Sequence, residues 1–188
     1  MRLDRIILKI INNIFNEFQM HRQRVIRHGK TTINGRIKIC SEGVCEFGDG
    51  IKINSGSNYN IIGGATRTNF IVQPGARLII GDRTGISNST IVVKQSVIIG
   101  KDVKIGGNCV IYDNDFHSVE YKYRILDDDP DIKTKPVEIE DGAFIGAHSI
   151  ILKGVTIGEK AVIGAGSVVT HSVPAGEVWG GNPAERLK

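Results

Sequence analysis

The 188-residue sequence has few aromatic residues and few cysteines, and each shortage excludes a class of protein. Aromatic residues make up 6% of the chain whereas glycine occurs 23 times, so the core must be aliphatic and the backbone must turn often. The cysteines Cys40, Cys45 and Cys109 are odd in number and include no Cys-x-x-Cys pair. This argues against a disulfide framework and against a zinc cluster, and Cys109 is expected to fill the core.

Long apolar runs are also missing. No uninterrupted apolar stretch is long enough to span a bilayer, and Lys9, Asn12 and Asn13 break the apolar N-terminus where a signal peptide would need continuity. We therefore expect a cytoplasmic protein. The net charge of +4 is modest, and no stripe of Lys and Arg is interleaved with aromatics. This argues against a nucleic-acid partner and is compatible with an anionic small ligand.

A period of six residues organises much of the chain. Its aliphatic members are Ile139, Ile145, Ile151, Ile157, Ile163 and Val169, and upstream Ile80, Ile86 and Val92, then, after a slip of one residue, Ile99, Ile105 and Ile111. Such a period fits neither a helix nor an alternating strand, but it fits a solenoid of short flat strands joined at tight corners. We therefore predict an all-β parallel solenoid whose aliphatic side chains stack in an inner column. Residues 57–67 lack the pattern and are expected to form a bulge or loop.

Two segments interrupt this solenoid. Residues 3–27 contain neither Gly nor Pro and carry apolar residues at helical spacing, which predicts an amphipathic α-helix followed by a basic stretch. Capping of the open solenoid end is the favoured role of this segment, and peripheral contact with an anionic membrane is the alternative. We therefore divide the chain into residues 1–28 and a β-helix domain of residues 29–188. In that domain, residues 118–135 are expected to form a protruding functional loop and residues 175–188 a tail.

Candidate catalytic residues concentrate between a repeat strand and this loop. In an alternating strand Asp113, Asp115 and His117 would lie on one face, where a carboxylate could hold the imidazole in one tautomer for proton transfer near neutral pH. The spacing by itself is equally compatible with a surface histidine beside two solvated acids.

The sequence around these residues resembles that of the hexapeptide acyltransferases. The segments that carry this resemblance are residues 113–117, 135–147, 163–170, 173–174 and 181–184, within a region of about residues 78–188. The sequence is most similar to sugar O-acetyltransferases of the maltose and galactoside type and to those that modify bacterial surface polysaccharides. The resemblance implies a left-handed parallel β-helix with three hexapeptides in each coil, acetyl-CoA as co-substrate and no metal.

The resemblance also implies roles for individual residues. His117 would be the general base and Asp115 would belong to the catalytic set, with either Asp113 or Asp115 orienting the imidazole. Acetyl would pass directly to a hydroxyl, because no Ser or Cys stands where an acyl-enzyme would form. Asn88 and Asp113 would contact the acceptor, although Asn88 is equally compatible with an ordinary solenoid corner. The donor residues implied by the resemblance are Ala147, whose amide would hold the oxyanion, Ala165 and Thr170 along the pantetheine arm, and Arg186 and Lys188 at the phosphates.

The family further implies a homotrimer with active sites between adjacent subunits. Val93 and Lys94 stand where the galactoside enzymes carry acidic residues, and His171 and Glu185 stand where basic residues are common. The sequence therefore leaves the acceptor open between a saccharide hydroxyl, an amino sugar and a drug hydroxyl. Two other hypotheses are a non-catalytic binding solenoid and a zinc enzyme of the carbonic anhydrase type, which would need three converging histidines.

Overall fold

The structure is a computed structural model that describes residues 3–64 and 66–188. The helices are α1 (Leu3–Arg22) and α2 (Tyr121–Arg124). The strands are β1 (Ile26–Arg27), β2 (Thr31–Gly35), β3 (Lys38–Ser41), β4 (Val44–Phe47), β5 (Ile51–Ser55), β6 (Asn69–Val72), β7 (Arg77–Ile80), β8 (Gly85–Ser87), β9 (Thr90–Val93), β10 (Ser96–Ile99), β11 (Lys104–Ile105), β12 (Val110–Tyr112), β13 (Val137–Ile139), β14 (Phe144–Ile145), β15 (Ile150–Ile151), β16 (Thr156–Ile157), β17 (Val162–Ile163), β18 (Val168–Val169), β19 (Val178–Gly180) and β20 (Glu185–Arg186).

These strands form three parallel sheets that the chain visits in turn, so each coil contributes one strand to each sheet. Sheet 1 has the order β1-β4-β7-β10-β13-β16, sheet 2 the order β2-β5-β8-β11-β14-β17-β19-β20, and sheet 3 the order β3-β6-β9-β12-β15-β18. Every coil therefore has three corners, which lie between sheets 1 and 2, sheets 2 and 3, and sheets 3 and 1. The last pair of strands, β19 with β20, is antiparallel. The predicted all-β solenoid is confirmed.

The predicted aliphatic column lies inside the three sheets. Its residues are Ile80, Ile99, Ile139 and Ile157 in sheet 1, Ile86, Ile105, Ile145 and Ile163 in sheet 2, and Ile91, Ile111, Ile151 and Val169 in sheet 3, each at most 3% exposed. One expected member is wrong, because Ile91 and not Val92 stacks on Ile111. The corner between Ile86 and Ile91 is one residue short, so the slip in the period begins at this corner and not after Val92.

The N-terminal helix is shorter than the segment that predicted it. α1 ends at Arg22 because Arg24 has a left-handed backbone with φ of 52°, and Ile26–Arg27 then pairs with β4 as the first strand of sheet 1. The solenoid thus begins just before the boundary that the sequence suggested at residues 28 and 29.

α1 lies against the open end of the solenoid, on β2 and β3, through three buried side chains. Asn16 donates to the carbonyl of Gly35 at 2.8 Å and accepts from the amide of Ile37 at 3.2 Å, while Met20 joins the aliphatic core. The expected cap is therefore present, but it uses mainly polar contacts.

Apart from the buried Met20, most apolar residues of α1 point away from the solenoid. These exposed side chains are Leu3, Ile7, Ile10, Ile11, Ile14 and Phe18. This outward orientation is the opposite of what a helix that caps through its apolar stripe would show. Contact of residues 3–27 with a membrane surface stays a prediction. Among the described residues, no helix is both long enough and apolar enough to cross a bilayer.

Two loops leave the solenoid at different corners. The first follows β5 and ends before β6, at the corner between sheets 2 and 3, where the sequence predicted a loop. The second leaves after β12 and returns at β13, at the corner between sheets 3 and 1, and contains the short helix α2. After β19 the tail turns through a cis Asn182–Pro183 peptide bond and folds back as β20.

Candidate active site

The chain around His117 forms a tight turn and not a continued strand. β12 ends at Tyr112, and the amide of His117 donates to the carbonyl of Asp115 at 2.6 Å while Phe116 has φ of 60°. The ring of Phe116 packs on that of Tyr112 with centroids 5.2 Å apart. This turn leaves His117 exposed at the mouth of the second loop. No hydrogen bond of its imidazole is seen among the described residues, so the ring nitrogens are open to a ligand.

Asp113 does not face the same side as His117, so the predicted shared face is wrong. The Asp113 side chain is fully buried, and its two oxygens accept from three successive backbone amides of the coil below. These donors are Lys94 at 2.8 Å, Gln95 at 2.6 Å and Ser96 at 2.7 Å. The carboxylate thereby closes the corner between β9 and β10. Its oxygens are occupied, and the expected role of Asp113 in binding the acceptor does not fit this geometry.

Asp115 is paired with a lysine that the sequence analysis missed. Its Oδ1 lies 2.6 Å from Nζ of Lys153, and both side chains are about three-quarters buried. Lys153 follows β15, one coil above Asp115 at the same corner. Neither Asp113 nor Asp115 hydrogen-bonds to the imidazole among the described residues, and Asp115 contacts His117 through its backbone carbonyl.

Asn88 is buried and holds the first loop. Its Oδ1 accepts from the amide of Gly56 at 2.7 Å, and its Nδ2 donates to the carbonyl of Asn60 at 3.2 Å. The residue has φ of 44°, a left-handed conformation that asparagine tolerates at a corner. Both polar atoms of its side chain are therefore hydrogen-bonded within the protein, and the expected direct contact with the acceptor does not fit this geometry.

Ala147 and Ala165 lie at the corner between sheets 2 and 3 in successive coils. Among the hydrogen bonds of residues 3–64 and 66–188, none takes the amide of Ala147 or of Ala165 as donor. A Cβ on Gly106 would lie 2.6 Å from the nitrogen of Ala147, and one on Gly146 would lie 2.5 Å from that of Ala165. Glycine at these two positions lets the coils approach closely at this corner. This corner therefore offers two unpaired N–H donors in a row.

The remaining predicted donor residues lie elsewhere. Thr170 follows β18 at the corner between sheets 3 and 1, the same corner as His117 but two coils further along. Its Oγ1 lies 2.8 Å from Nδ1 of His171. Arg186 belongs to β20 and pairs with Glu177 at 3.2 Å. Lys188 is held by backbone hydrogen bonds to Val178. The tail is thus ordered by pairing, and the structure does not bring all five donor residues to one place.

The imidazole of His117 and the unpaired amides of Ala147 and Ala165 are on different corners of the same chain. His117 and Asp115 lie between sheets 3 and 1, whereas Ala147 and Ala165 lie between sheets 2 and 3. Within one chain, a reacting group at Ala147 is therefore separated from His117 by the whole third face of the solenoid.

One further feature of the site escaped sequence reasoning. The first loop packs against Gly107, where a Cβ would lie 2.8 Å from both Oδ1 of Asn60 and the nitrogen of Gly63. The pair Gly106-Gly107 beside a loop with its own Gly63-Gly64 pair was the available signal. In the described part of the chain, no three His, Cys, Asp or Glu side chains are grouped so that they could hold a metal ion.

Comparison with known proteins agrees with the fold and the repeat. The family model described as the hexapeptide repeat of succinyl-transferase matches residues 77–113 and 136–171. No curated protein matches significantly by sequence.

Several solved structures are similar over most of the chain. A hexapeptide-repeat acetyltransferase of Vibrio cholerae, solved with acetyl coenzyme A, shares 28% identity with a TM-score of 0.61 and covers 96% of this chain and 82% of its own. The polySia-specific acetyltransferase NeuO shares 26% identity with a TM-score of 0.58, covering 85% and 71%. A mutant of AntD, an N-acyltransferase of Bacillus cereus, has the same fold at 19% identity, with a TM-score of 0.69 and coverage of 92% and 86%. With its hexapeptide repeat and its three parallel sheets, the chain has the left-handed β-helix fold of these acyltransferases.

Proposed function

We propose that the protein transfers an acetyl group from acetyl-CoA to a hydroxyl of a saccharide, at sites shared by adjacent copies in a homotrimer. The observation that carries this proposal is the separation of His117 from Ala147 on two corners of one chain. A second copy that sets its corner between sheets 3 and 1 against the first copy's corner between sheets 2 and 3 would bring the base to the free amides. In a cyclic trimer each of the three interfaces would hold one such site.

The donor would lie along the corner that carries the free amides. Ala165 is exposed and Ala147 partly exposed, so a pantetheine arm can run past small side chains and place its thioester carbonyl at the Ala147 N–H. The Vibrio cholerae relative was solved with acetyl coenzyme A, which supports this choice of donor.

The reaction would proceed in one transfer. An imidazole nitrogen of His117 takes the proton of the acceptor hydroxyl, and the oxygen attacks the thioester carbonyl carbon. The amide of Ala147 donates to the oxyanion that forms. The carbon–sulfur bond then breaks, His117 returns its proton to the CoA sulfur, and the acetyl ester leaves with the acceptor. The Asp115–Lys153 pair positions the turn of His117 throughout.

Calorimetric binding of acetyl-CoA tests the donor site. Ala165→Trp would fill the corner and should weaken binding at least about tenfold from a micromolar value. Ala175→Trp is the matched control, because Ala175 is an exposed alanine at the corner between sheets 1 and 2 and stacks on Gly158 as Ala165 stacks on Gly146. Equal binding by wild type and Ala165→Trp would refute the donor site.

The chemistry is tested by mass spectrometry of products from a panel of saccharides, amino sugars and drug hydroxyls. A mass increase of one acetyl group that mild alkali removes indicates an ester, whereas an amide survives this treatment. Alkali-stable products would move the proposal to an N-acetyltransferase. Binding of acetyl-CoA without transfer to any acceptor, even after long incubation, would favour a non-catalytic solenoid.

A further inference from the structure

A cavity of about 510 Å³ lies between α1, the first coil and the first loop. Its lining residues are Arg5, Leu8, Lys9, Asn12, Asn13, Ile33, Asn34, Gly35, Asn58 and Tyr59. This set contains two cationic side chains, four amide side chains and a phenol, and no carboxylate. Amides and a phenol suit the hydroxyls and ring faces of a sugar, and the cations favour a negative charge.

Two cationic side chains, Arg5 and Lys9, line this cavity. Among the described residues, neither Arg5 nor Lys9 takes part in an ion pair. The neighbouring Arg36 differs, because its Nε donates to Asn12 at 2.8 Å and its guanidinium stacks over Phe15. Arg5 and Lys9 are thus available to an anionic ligand, whereas Arg36 serves the packing of α1.

The first loop connects this cavity to the free amide of Ala147. Tyr59 lines the cavity, while Asn60 and Gly63 of the same loop pack on Gly107. Gly107 in turn accepts from the amide of His148, the residue after Ala147, at 2.8 Å. Backbone contacts therefore link Ala165 and Ala147 through Gly107 to the loop whose Tyr59 lines the cavity.

The direction of the donor decides which end is left for the acceptor. If the pantetheine arm arrives past Ala165 and ends at Ala147, the acceptor must lie on the other side of Ala147, toward Gly107 and the loop. Asn88 holds that loop in place through Gly56 and Asn60, so it acts on the acceptor as a positioning residue.

We propose that this cavity is an acceptor subsite for an anionic saccharide, one that carries a carboxylate or a phosphate. The inference rests on the proposed function for the direction of the substrates. The reacting hydroxyl lies near Ala147, the sugar crosses the loop at Tyr59, and its anionic group lies between Arg5 and Lys9.

Binding of small probes by saturation-transfer NMR, without any CoA compound, tests this subsite. The probes are trigalacturonate, UDP-glucose and neutral maltotriose. We expect at least one anionic probe to bind about tenfold more tightly than maltotriose at low salt, and this preference to fall as salt rises. Preference for trigalacturonate identifies a carboxylate as the anion, and preference for UDP-glucose identifies a phosphate.

Arg5→Gln/Lys9→Gln should abolish the preference, whereas Lys38→Gln/Lys52→Gln should keep it. The control removes the same charge from exposed lysines on β3 and β5 that do not line the cavity. Equal binding of all three probes, or identical behaviour of the two double variants, would overturn the subsite. Because these measurements contain no donor, they are independent of the acetyl-CoA binding that decides the proposed function.

Discussion

The carboxylate of Asp115 and the ammonium group of Lys153 lie 2.6 Å apart, and this ion pair fastens the turn of His117 to the next coil. The pair links two positions 38 residues apart in sequence. It is the contact by which the solenoid holds a candidate base on an otherwise exposed turn.

Lys153→Met should therefore impair catalysis more than folding. We expect kcat to fall about tenfold or more because the base is misplaced, while the free energy of unfolding falls by about 1 to 2 kcal/mol, because the largely buried Asp115 loses its partner. Turnover assays and urea denaturation measure the two effects. Lys160→Met, which breaks the exposed pair with Glu159, is the control and should leave kcat unchanged. Equal kcat in both variants would remove the positioning role.

Asp113→Ala should mainly destabilise the protein. Three backbone amides lose a charged acceptor, so we expect the free energy of unfolding to fall by about 3 kcal/mol. Urea denaturation at fixed protein concentration measures this loss. Asp141→Ala is the control, because among the described residues that exposed carboxylate accepts from a single amide, that of Lys101, and about 1 kcal/mol should be lost. A stable Asp113→Ala variant with a raised KM for the acceptor would instead restore the substrate-binding role.

The three thiols should differ in reactivity. Burial raises the pKa of Cys45 to about 12 and also raises the pKa of Cys109, so both stay protonated at pH 8, whereas Cys40 is exposed. A chromogenic disulfide reagent at pH 8 should therefore modify one thiol rapidly in the native protein and all three in denaturant. Cys40→Ser should remove the rapid phase. Rapid reaction of two or three thiols in the native state would contradict the described core.

His117→Ala should lower turnover by at least about a hundredfold without changing the affinity for acetyl-CoA. His28→Ala is a suitable control, since His28 is exposed at the other end of the solenoid and lies 2.7 Å from Glu46. CoA release and calorimetry measure the two quantities. Full turnover by His117→Ala would exclude this residue as the base.

Mixed trimers test the shared site. A His117→Ala subunit keeps its donor corner, and an Ala165→Trp subunit keeps its base, so a site between the two kinds of subunit is intact. Random assembly from equal amounts should restore about one quarter of the wild-type turnover. Differently tagged subunits allow the mixed species to be purified before assay. Mixed trimers that form but stay inactive would indicate a site within a single chain.

Much of the solenoid could be predicted from the sequence, because one aliphatic residue in every six has a single way to stack. The error at Ile91 arose at a corner that is one residue shorter than the others. Ile91 and Val92 are both β-branched aliphatic residues, so the sequence does not show which of them points inward. The orientation of α1 was also missed. Helical spacing shows that an apolar stripe exists, but the contacts of Asn12 and Asn16 decide which side meets the solenoid.

The sequence by itself determined the repeat, the inner column and the two loops, because these depend on local period and composition. The tertiary structure decided the orientation of Asp113 and the partner of Asp115, since amides 17 to 19 residues away and a lysine in the next coil compete for those carboxylates. It also placed His117 and Ala147 on separate corners. The spacing of residues in the sequence does not show at which corner each residue lies, because that depends on how many residues each coil contains.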